Sequence, residues 1–581
     1  MDASLYRHSQ ASKPALRIGL LLDTPVLPRC FAEVVDHINQ SDFANLELLV
    51  FNADAQPRVS HEQANMGLAR KAIETLTSPE RREHLLYALY QRWDRRNVNP
   101  SDDPLAPVDC TERFDEIESF SVQPITKRFV HRFPPEAIER IRGKQLDVLI
   151  RFGFNILRGE ILTSSKCGVW SYHHGDNDYY RGGPAYFWEM VEGNPISGAI
   201  LQVLTEQLDA GKVLYRGHFA TFPGMSHARN RVQPYWGAST FMIHKLRELH
   251  ERSWEHVEKN AVPPAPYLGK KKIYVAPKNV DMLRWLGPLV IRKIWRRLVR
   301  RPVIQHWRLA IREGAPPLAT SGTTPDLSGF RWIEAPKGRF YADPFLTQAD
   351  GKTWAFFEDF DYATERGKIS CAEVHDGGLS AAVTALERPY HLSYPCVFRD
   401  GDTWYMIPET GSAGTVELYR CQRFPAAWQF ERELFKGRAV DTTIWIEDGL
   451  YWFFVTLQEP RGYALQLWLF YATSLHGIWT PHPSNPISTD ARNARGAGAI
   501  FRQQGKLFRP SQESGSEYGR SFTFNEIVVL DRDQYREEPR VTVGPVWAAG
   551  LTGTHTYGRA GNLEIIDGKA PVPARNVLSS G

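Results

Sequence analysis

The chain has 581 residues, with 70 basic against 66 acidic side chains and a formal net charge of +4. That length excludes a single small domain, because domains of about 100–200 residues are the norm, and the near balance of charge excludes a dedicated nucleic-acid binder unless charge is locally segregated. A hydrophobic share of 42%, a charged share of 23% and 12% aromatics exclude wholesale disorder, and the aromatics point to β-rich architecture or sugar binding. The six cysteines (Cys30, Cys110, Cys167, Cys371, Cys396 and Cys421) form no CxxC pair. No metal ligands and no disulfide framework are therefore expected, and a reducing, cytoplasmic setting fits.

Near the N-terminus the apolar run Ile18 to Leu22 stops at Asp23, too short for the core of a signal peptide. No run reaches the roughly 18 apolar residues of a membrane-crossing helix, so a soluble or peripheral protein is expected. Residues 16–22 (LRIGLLL), a helix over 31–39 and a second apolar run over 46–51 read as a βαβ unit and hence a parallel sheet. Residues 55–130 are read as an insertion, helical around 79–95. Strands are expected at 146–152, 168–173 and 198–204, then a helical stretch over 235–260 that buries Phe241, Ile243, Leu246 and Leu249. Together these give a Rossmann-like α/β domain over residues 1–260.

Residues 261–325 read as a basic, proline-rich linker. Within it, 289–301 places Arg292, Lys293, Arg296, Arg297, Arg300 and Arg301 on one half of a helical wheel, with Val290, Ile291, Ile294, Trp295, Leu298 and Val299 on the other. Pro288 can start this helix and Pro302 can end it. Such a helix either docks its apolar face on a neighbouring domain or lies in the plane of an anionic membrane, here the inner face. No reader fold surrounds the basic stripe, so nucleic acid is not an expected partner.

From residue 326 a turn glycine followed by an aromatic strand recurs at Gly351, Gly401, Gly449, Gly505 and Gly561. Units of this length carry about four strands, which predicts an all-β five-bladed β-propeller over 326–570 and a tail over 571–581. Eight positions before each glycine stand Asp343, Ser393, Asp441, Ala497 and Gly553. Eight positions after the first four stand Asp359, Glu409, Leu457 and Glu513. A shared register places such acids around one end of the central channel, where paired carboxylates suit glycoside chemistry or sugar binding. Tyr341 and Tyr394 are candidate channel aromatics.

Two resemblances attach to these residues. The stretch 168–217, with His173 in SYHHG, Tyr180 to Gly182, Ser197 and Gly198, and Leu208 to Gly211 (LDAG), resembles the folate-dependent formyltransferases. The resemblance implies that His173 and Asp209 are catalytic, that Ser171 stands where that family has its oxyanion-holding Asn, and that Gly153, Phe154 and Asp209 line a pocket for 10-formyltetrahydrofolate. Independently of the family, His173 ends an apolar strand at the carboxyl edge of a parallel sheet, the usual ligand crevice. The repeats, through FYADPFL (340–346), SYPCVF (393–398), VDTTIW (440–445), RGAGAIF (495–501) and GTHTYGRAGNLEIIDG (553–568), resemble the propeller at the N-terminus of plant glucosamine inositolphosphorylceramide transferases and their bacterial relatives. A more distant resemblance, to the arabinanase, levansucrase and invertase group, implies that Asp343 is a nucleophile or base and, by register, that Asp441 and Glu409 are further catalytic acids.

The expected molecule is thus multidomain, an α/β Rossmann-like formyltransferase domain followed by a five-bladed propeller. Its expected activity is transfer of a formyl group from 10-formyltetrahydrofolate to an amine of an amino sugar, nucleotide sugar or glycolipid precursor whose glycan the propeller holds. The alternatives are a propeller-based glycosidase or glycosyl-transfer enzyme with a degenerate first domain, and a non-catalytic carbohydrate-binding scaffold.

Overall fold

A computed structural model describes residues 5, 7–55, 82–207, 211–222, 224–263, 265–299, 303–314, 316–320, 325–375, 377–459, 461–515 and 517–577. Asp209, Arg300 and Arg301 lie outside these residues, as does the first part of the helix expected over 79–95. The chain divides into two compact units, Ala3–Leu298 and Val299–Gly581.

In the first unit, β1 (Leu16–Leu22), β2 (Ala44–Asn52), β3 (Ser119–Val122), β4 (Val148–Arg151), β5 (Val169–His173), β6 (Ile196–Val203) and β7 (Lys212–Ala220) form one sheet in the order β7-β6-β5-β4-β1-β2-β3. Strands β3, β2, β1, β4 and β5 run parallel, and β6 and β7 are antiparallel additions. The unbroken apolar sequence of β1 follows from burial on both faces, with Ile18, Leu20, Leu21 and Leu22 wholly inaccessible. Helix α1 (Arg29–Asn39) carries the chain from β1 to β2 on one side, and α3 (Pro135–Gly143) delivers β4 to the other side of β1. The strand order reverses there, and a crevice opens at the carboxyl ends of the parallel strands. Between them, α2 (Leu85–Asp94) lies in the stretch expected to be an insertion, but β3 in that same stretch extends the sheet beside β2.

This unit continues past residue 260. After α4 (Val232–Glu251) and α5 (Trp254–Asn260), Tyr274, Met282 and Trp285 are buried in a cluster with Tyr87, Tyr90, Phe187 and Trp188, and a main-chain bridge joins Tyr274 to Gly182. Residues 261–298 are therefore part of a core, and aromatic burial outweighs the linker-like composition. The basic helix, α6, spans Asn279–Val299, so Pro288 lies inside it and does not start it. Its first turn is fixed by Asp281, which accepts a hydrogen bond from the Lys278 amide at 2.9 Å.

The second unit is built from antiparallel sheets, five of them among the described residues. The first combines β8 (Val303–Glu313), β9 (Arg331–Ile333) and the chain's last strands, β25 (Tyr557–Ala560) and β26 (Leu563–Pro573). Then follow β10 (Arg339–Ala349), β11 (Lys352–Asp361) and β12 (Arg366–His375); β13 (Ser393–Asp400), β14 (Thr403–Glu409), β15 (Thr415–Arg423) and β16 (Ala427–Lys436); and β17 (Ala439–Glu447), β18 (Leu450–Gln458), β19 (Leu465–Ala472) and β20 (Thr480–Pro481). The last holds β21 (Arg495–Gly496), β22 (Lys506–Glu513), β23 (Ser521–Leu530) and β24 (Tyr535–Val543). Each sheet packs on the next, and Phe508, Phe522 and Phe524 of the last pack on Ala310, Tyr557 and Ile566 of the first.

The expected linker thus contains a strand. β8 pairs with β26 from Val303↔Pro573 to Glu313↔Leu563. The reason is that the fifth repeat supplies only β25 and β26, whose free edge would otherwise stay unpaired. A buried ion pair ties the two chain segments together: Arg312 Nη2 lies 2.6 Å from Glu564 Oε2, with both side chains almost wholly inaccessible.

The repeated glycines do what the sequence pattern implies. Asp350-Gly351, Asp448-Gly449 and Gln504-Gly505 each have positive φ at both positions, the conformation of tight two-residue hairpin turns. A Cβ on any of these glycines would meet nothing, so the requirement is conformational and not steric.

Candidate functional site

The inner hairpins carry bulges that decide which side chains point together. The pairing skips after Ala342, Ser393 and Val440, leaving Asp343, Tyr394 and Asp441 at positive φ of 50°, 45° and 46°. Equivalent positions are therefore Asp343, Tyr394 and Asp441, with Tyr394 replacing the expected Ser393. Across each bulge, Ala342 faces Glu358, Ser393 faces Glu409 and Val440 faces Thr456. Glu358 is thus the equivalent of Glu409, not Asp359, whose carboxylate is held by Arg339 at 2.6 Å and by Ser370 at 2.8 Å.

Asp343, Glu358, Glu409 and Asp441 form one electrostatic group, each of Asp343, Glu358 and Glu409 being pushed up by acids of the others. Asp343 accepts a 2.8 Å hydrogen bond from the Thr556 hydroxyl. His555 bridges two acids, with Nδ1 2.6 Å from Asp567 Oδ2 and Nε2 3.5 Å from Asp343 Oδ1. Asp567 in turn accepts the amides of His555 and Thr556 at 2.8 and 3.1 Å. Asp441 is paired with Arg495 and accepts from Gln512 at 3.0 Å. Among the described residues, neither the Asp343 nor the Asp441 carboxylate accepts a strand-end amide; their partners are side chains.

Burial is the main cause that raises Asp343 from its ordinary 3.8 to about 6, with His555 opposing and Asp441 adding to the rise. Burial likewise raises Glu409 and Glu358 well above the usual carboxylate range; Asp441 adds to the rise at Glu409 and Asp343 to that at Glu358. For His555, burial disfavours the imidazolium, but Asp567 and Asp343 outweigh it and the pKa rises. Glu409 Oε2 has no hydrogen-bond partner among the described residues and stands 3.6 Å from Arg495 Nη2. Its side chain keeps 16% exposure, against 7% for Asp343, 9% for Glu358 and 1% for Asp441, so Glu409 is the least enclosed of the four acids although its Oε2 is buried. Tyr518, 46% exposed, lies over the Arg495 guanidinium at 4.8 Å beside it. Tyr341 and Tyr394 are core residues instead; the Tyr394 hydroxyl is fixed by Thr443 and Gly498.

Sequence reasoning missed Glu358, His555, Asp567 and Arg495. His555 and Asp567 lie in the quoted GTHTYG and IIDG segments, but only the pairing of the two ends of the unit shows that they meet Asp343. The ligand atoms of Asp343, His555 and Asp567 lie within 4.8 Å of one another, and a metal ion held there would take the place of the proton on one imidazole nitrogen.

A stability consequence follows from the raised Asp343. Its folded-state pKa exceeds the unfolded one, so the stability it contributes is complete below about 3.8 and is lost as pH rises through about 6. Asp343→Asn is expected to melt higher than wild type at pH 7.5, with about half that difference at pH 5. Equal differences at the two pH values by calorimetry would remove the assignment.

In the first unit, a crevice of about 390 Å³ at the carboxyl ends of β1, β2 and β4 is lined by Asp23, Asn52, Asp54, His131, Phe154 and Asn155. Phe154 has φ +62° and its amide donates to Asp23 at 2.7 Å, which holds the loop that follows β4. At Gly153 a Cβ would collide with the Leu22 and Asp23 backbone, so the two loops touch. Ser171 is buried inside the sheet; it accepts from Arg151 at 3.0 Å and donates to the Tyr172 carbonyl at 3.2 Å, which leaves no free donor for an oxyanion. His173 Nε2 lies 3.3 Å from the Tyr180 carbonyl oxygen. Its expected partner Asp209 lies outside the described residues.

Comparisons with known proteins bear on the second unit. Residues 330–546 match the family described as glucosamine inositolphosphorylceramide transferase 1, N-terminal. Over 206 residues the chain is 35% identical to glucosamine inositolphosphorylceramide transferase 1 of Arabidopsis thaliana, covering 34% of this chain and 27% of that protein. The chain thus spans little more than a quarter of the relative's length. Among solved structures, the catalytic domain of a GH62 α-L-arabinofuranosidase from Coprinopsis cinerea matches with a TM-score of 0.32 at 15% identity, over 45% of this chain and 97% of that one. Glycinamide ribonucleotide transformylase 1 from Symbiobacterium toebii matches with a TM-score of 0.24 at 12% identity, over 42% and 88%. Residues 330–546 are therefore similar to the N-terminal region of glucosamine inositolphosphorylceramide transferase 1.

Proposed function

We propose that the second unit is a five-bladed propeller enzyme of carbohydrate modification that cleaves or transfers a glycosyl group. The observation that carries this reading is the convergence of Glu409 and Asp343 with pKa values set apart, Glu409 held well above the carboxylate range and Asp343 ionising near pH 6. Glu409 donates its proton to the glycosidic oxygen as the bond to the sugar carbon breaks. Asp343 takes the proton of the attacking water or acceptor hydroxyl as the new bond forms. Arg495, paired with Asp441 and 3.6 Å from Glu409 Oε2, steadies the acid once it has lost its proton. Tyr518 offers its ring to a sugar face. Similarity to a protein named as a glucosamine inositolphosphorylceramide transferase supports a glycolipid headgroup as the sugar-bearing substrate.

The test is turnover of a panel of aryl furanosides and pyranosides, and of nucleotide sugars with glycolipid acceptors, by the whole protein and by its Glu409→Gln variant. Loss of all turnover in the variant supports the reading. If the wild type turns over no member while sugars still shift its melting temperature, the unit is a binding module.

A second reading rests on the crevice at Asp23 and Asn52: the first unit is a Rossmann-like domain of formyltransferase type that binds 10-formyltetrahydrofolate or a nucleotide sugar. The committed hydroxyl of Ser171 does not fit an oxyanion donor, so no formyl-transfer step is assigned to it. Either ligand at 100 times its Kd is expected to stabilise the protein by about 2.7 kcal/mol, and Asn52→Leu should abolish that shift in a thermal titration.

A further inference from the structure

Helix α6 does two things along its length. Its first half is anchored, with Met282 and Trp285 in the aromatic cluster against α2. Its second half presents Val290, Ile291, Ile294 and Trp295 to solvent at 42, 69, 55 and 63% exposure. These side chains continue onto Leu283 of the same helix and onto Leu89 and Trp93 of α2, which are 63, 56 and 50% exposed. Between the two helices runs an apolar groove of about 770 Å³, walled by Leu86, Trp93, Met282, Leu286 and Ile291. An exposed apolar surface of this kind, contributed by two helices of a folded unit, marks a binding face.

The chemistry of its rim selects the occupant. Arg92, Arg95 and Arg96 at the end of α2, and Arg284, Arg292, Lys293 and Arg297 on α6, are all exposed. Between Asp281 and Glu313 the sequence contains no acidic residue, and the one acid of α2, Asp94, is buried and accepts from the Ala228 amide. Exposed cations thus accompany the apolar face along both helices, the exposed acid next to α2, Glu83, is paired with Lys278, and the exposed Trp93 and Trp295 are of the residue type that a bilayer interface receives. A protein partner would have to supply a hydrophobic ridge lined with acids. An anionic lipid surface supplies both features at once.

We propose that the face formed by α2 and the second half of α6 docks on an anionic membrane surface. No helix among the described residues is long and apolar enough to cross a bilayer, so the attachment is in-plane and reversible. It is distinct from the glycosyl-transfer reading and stands or falls without it. A glycolipid substrate would gain from it, because attachment holds the enzyme at the surface where that substrate resides.

The test is sedimentation of the full chain with large vesicles of phosphatidylcholine alone and of phosphatidylcholine with 30% phosphatidylglycerol, in about 50 and 500 mM salt, where screening differs several-fold. Binding is expected only to the anionic vesicles and only at low salt. Reversal of Arg292, Lys293 and Arg297 to Glu should weaken the partition about a hundred-fold, each cation near such a surface being worth several-fold. Ile291→Ser with Trp295→Ser should weaken binding while leaving the charge intact. Both residues are exposed, so an unchanged melting temperature checks the fold. Absence of wild-type binding at low salt overturns the proposal, as does a charge-reversed variant that binds like wild type. A concentration-dependent dimer abolished by Ile291→Ser, with no vesicle binding, would assign the face to a second copy of the chain instead.

Discussion

Glu409→Gln is expected to lower turnover of a glycoside with a poor leaving group by about 10²–10⁴-fold, the usual contribution of a positioned general acid. With a dinitrophenyl leaving group, which departs without a proton, the same variant should lose far less. Asp343→Asn should depress both substrates, because a water or acceptor hydroxyl needs its proton removed whatever leaves. The pH profile follows from the same two groups. Asp343 must be ionised, so the acid limb should fall near pH 6, and Glu409 must be protonated, so the alkaline limb reports its raised pKa. An equal loss with both leaving groups in Glu409→Gln would show that the residue positions substrate and does not donate the proton.

The sheet of the first unit was legible because its strands are buried on both faces and so lack alternation, as in LRIGLLL. The hairpins of the second were legible because only a residue free at positive φ satisfies the turn at Gly351, Gly449 or Gly505. Two kinds of feature stayed hidden. The turn glycine does not keep one place, being the second turn residue at Gly351 and the first at Gly401, so counting eight positions back from Gly401 reaches Ser393 when the structural equivalent is Tyr394, and counting eight forward from Gly351 reaches Asp359 when Glu358 is the acid that joins the cluster. Pairing between distant segments leaves no local signal either. Residues 303–313 read as linker because their partner lies some 250 residues away, and His555 and Asp567 become site residues only when that pairing brings the chain's last hairpin beside β10. Ser171 shows the reverse case, where motif position suggested a reacting group and the neighbouring strand's Arg151 holds it inside the sheet.

A buried ion pair joins β8 to β26 beside their strand ladder, and its removal is expected to be the most damaging single change outside the site. Arg312 donates to Glu564 through Nε at 2.8 Å and Nη2 at 2.6 Å, and to the Asp326 and Pro316 carbonyls. Glu564 also accepts from the Tyr557 hydroxyl at 2.6 Å and the Leu318 amide at 2.9 Å, so every lone pair that burial strands is met. Arg312→Met leaves that carboxylate buried with two neutral donors and no counter-charge, which costs about 3–5 kcal/mol in comparable sites. Arg312→Met with Glu564→Leu removes both charges and should recover much of the loss, the mark of an interaction confined to the pair. Native-state hydrogen exchange of the amides in 303–313 reads this opening locally, without requiring the other unit to unfold. Exchange there should accelerate by about 10²–10⁴-fold in Arg312→Met and by much less in the double variant. Unchanged exchange in the single variant would mean that the register of β8 on β26 holds the unit closed without the charge.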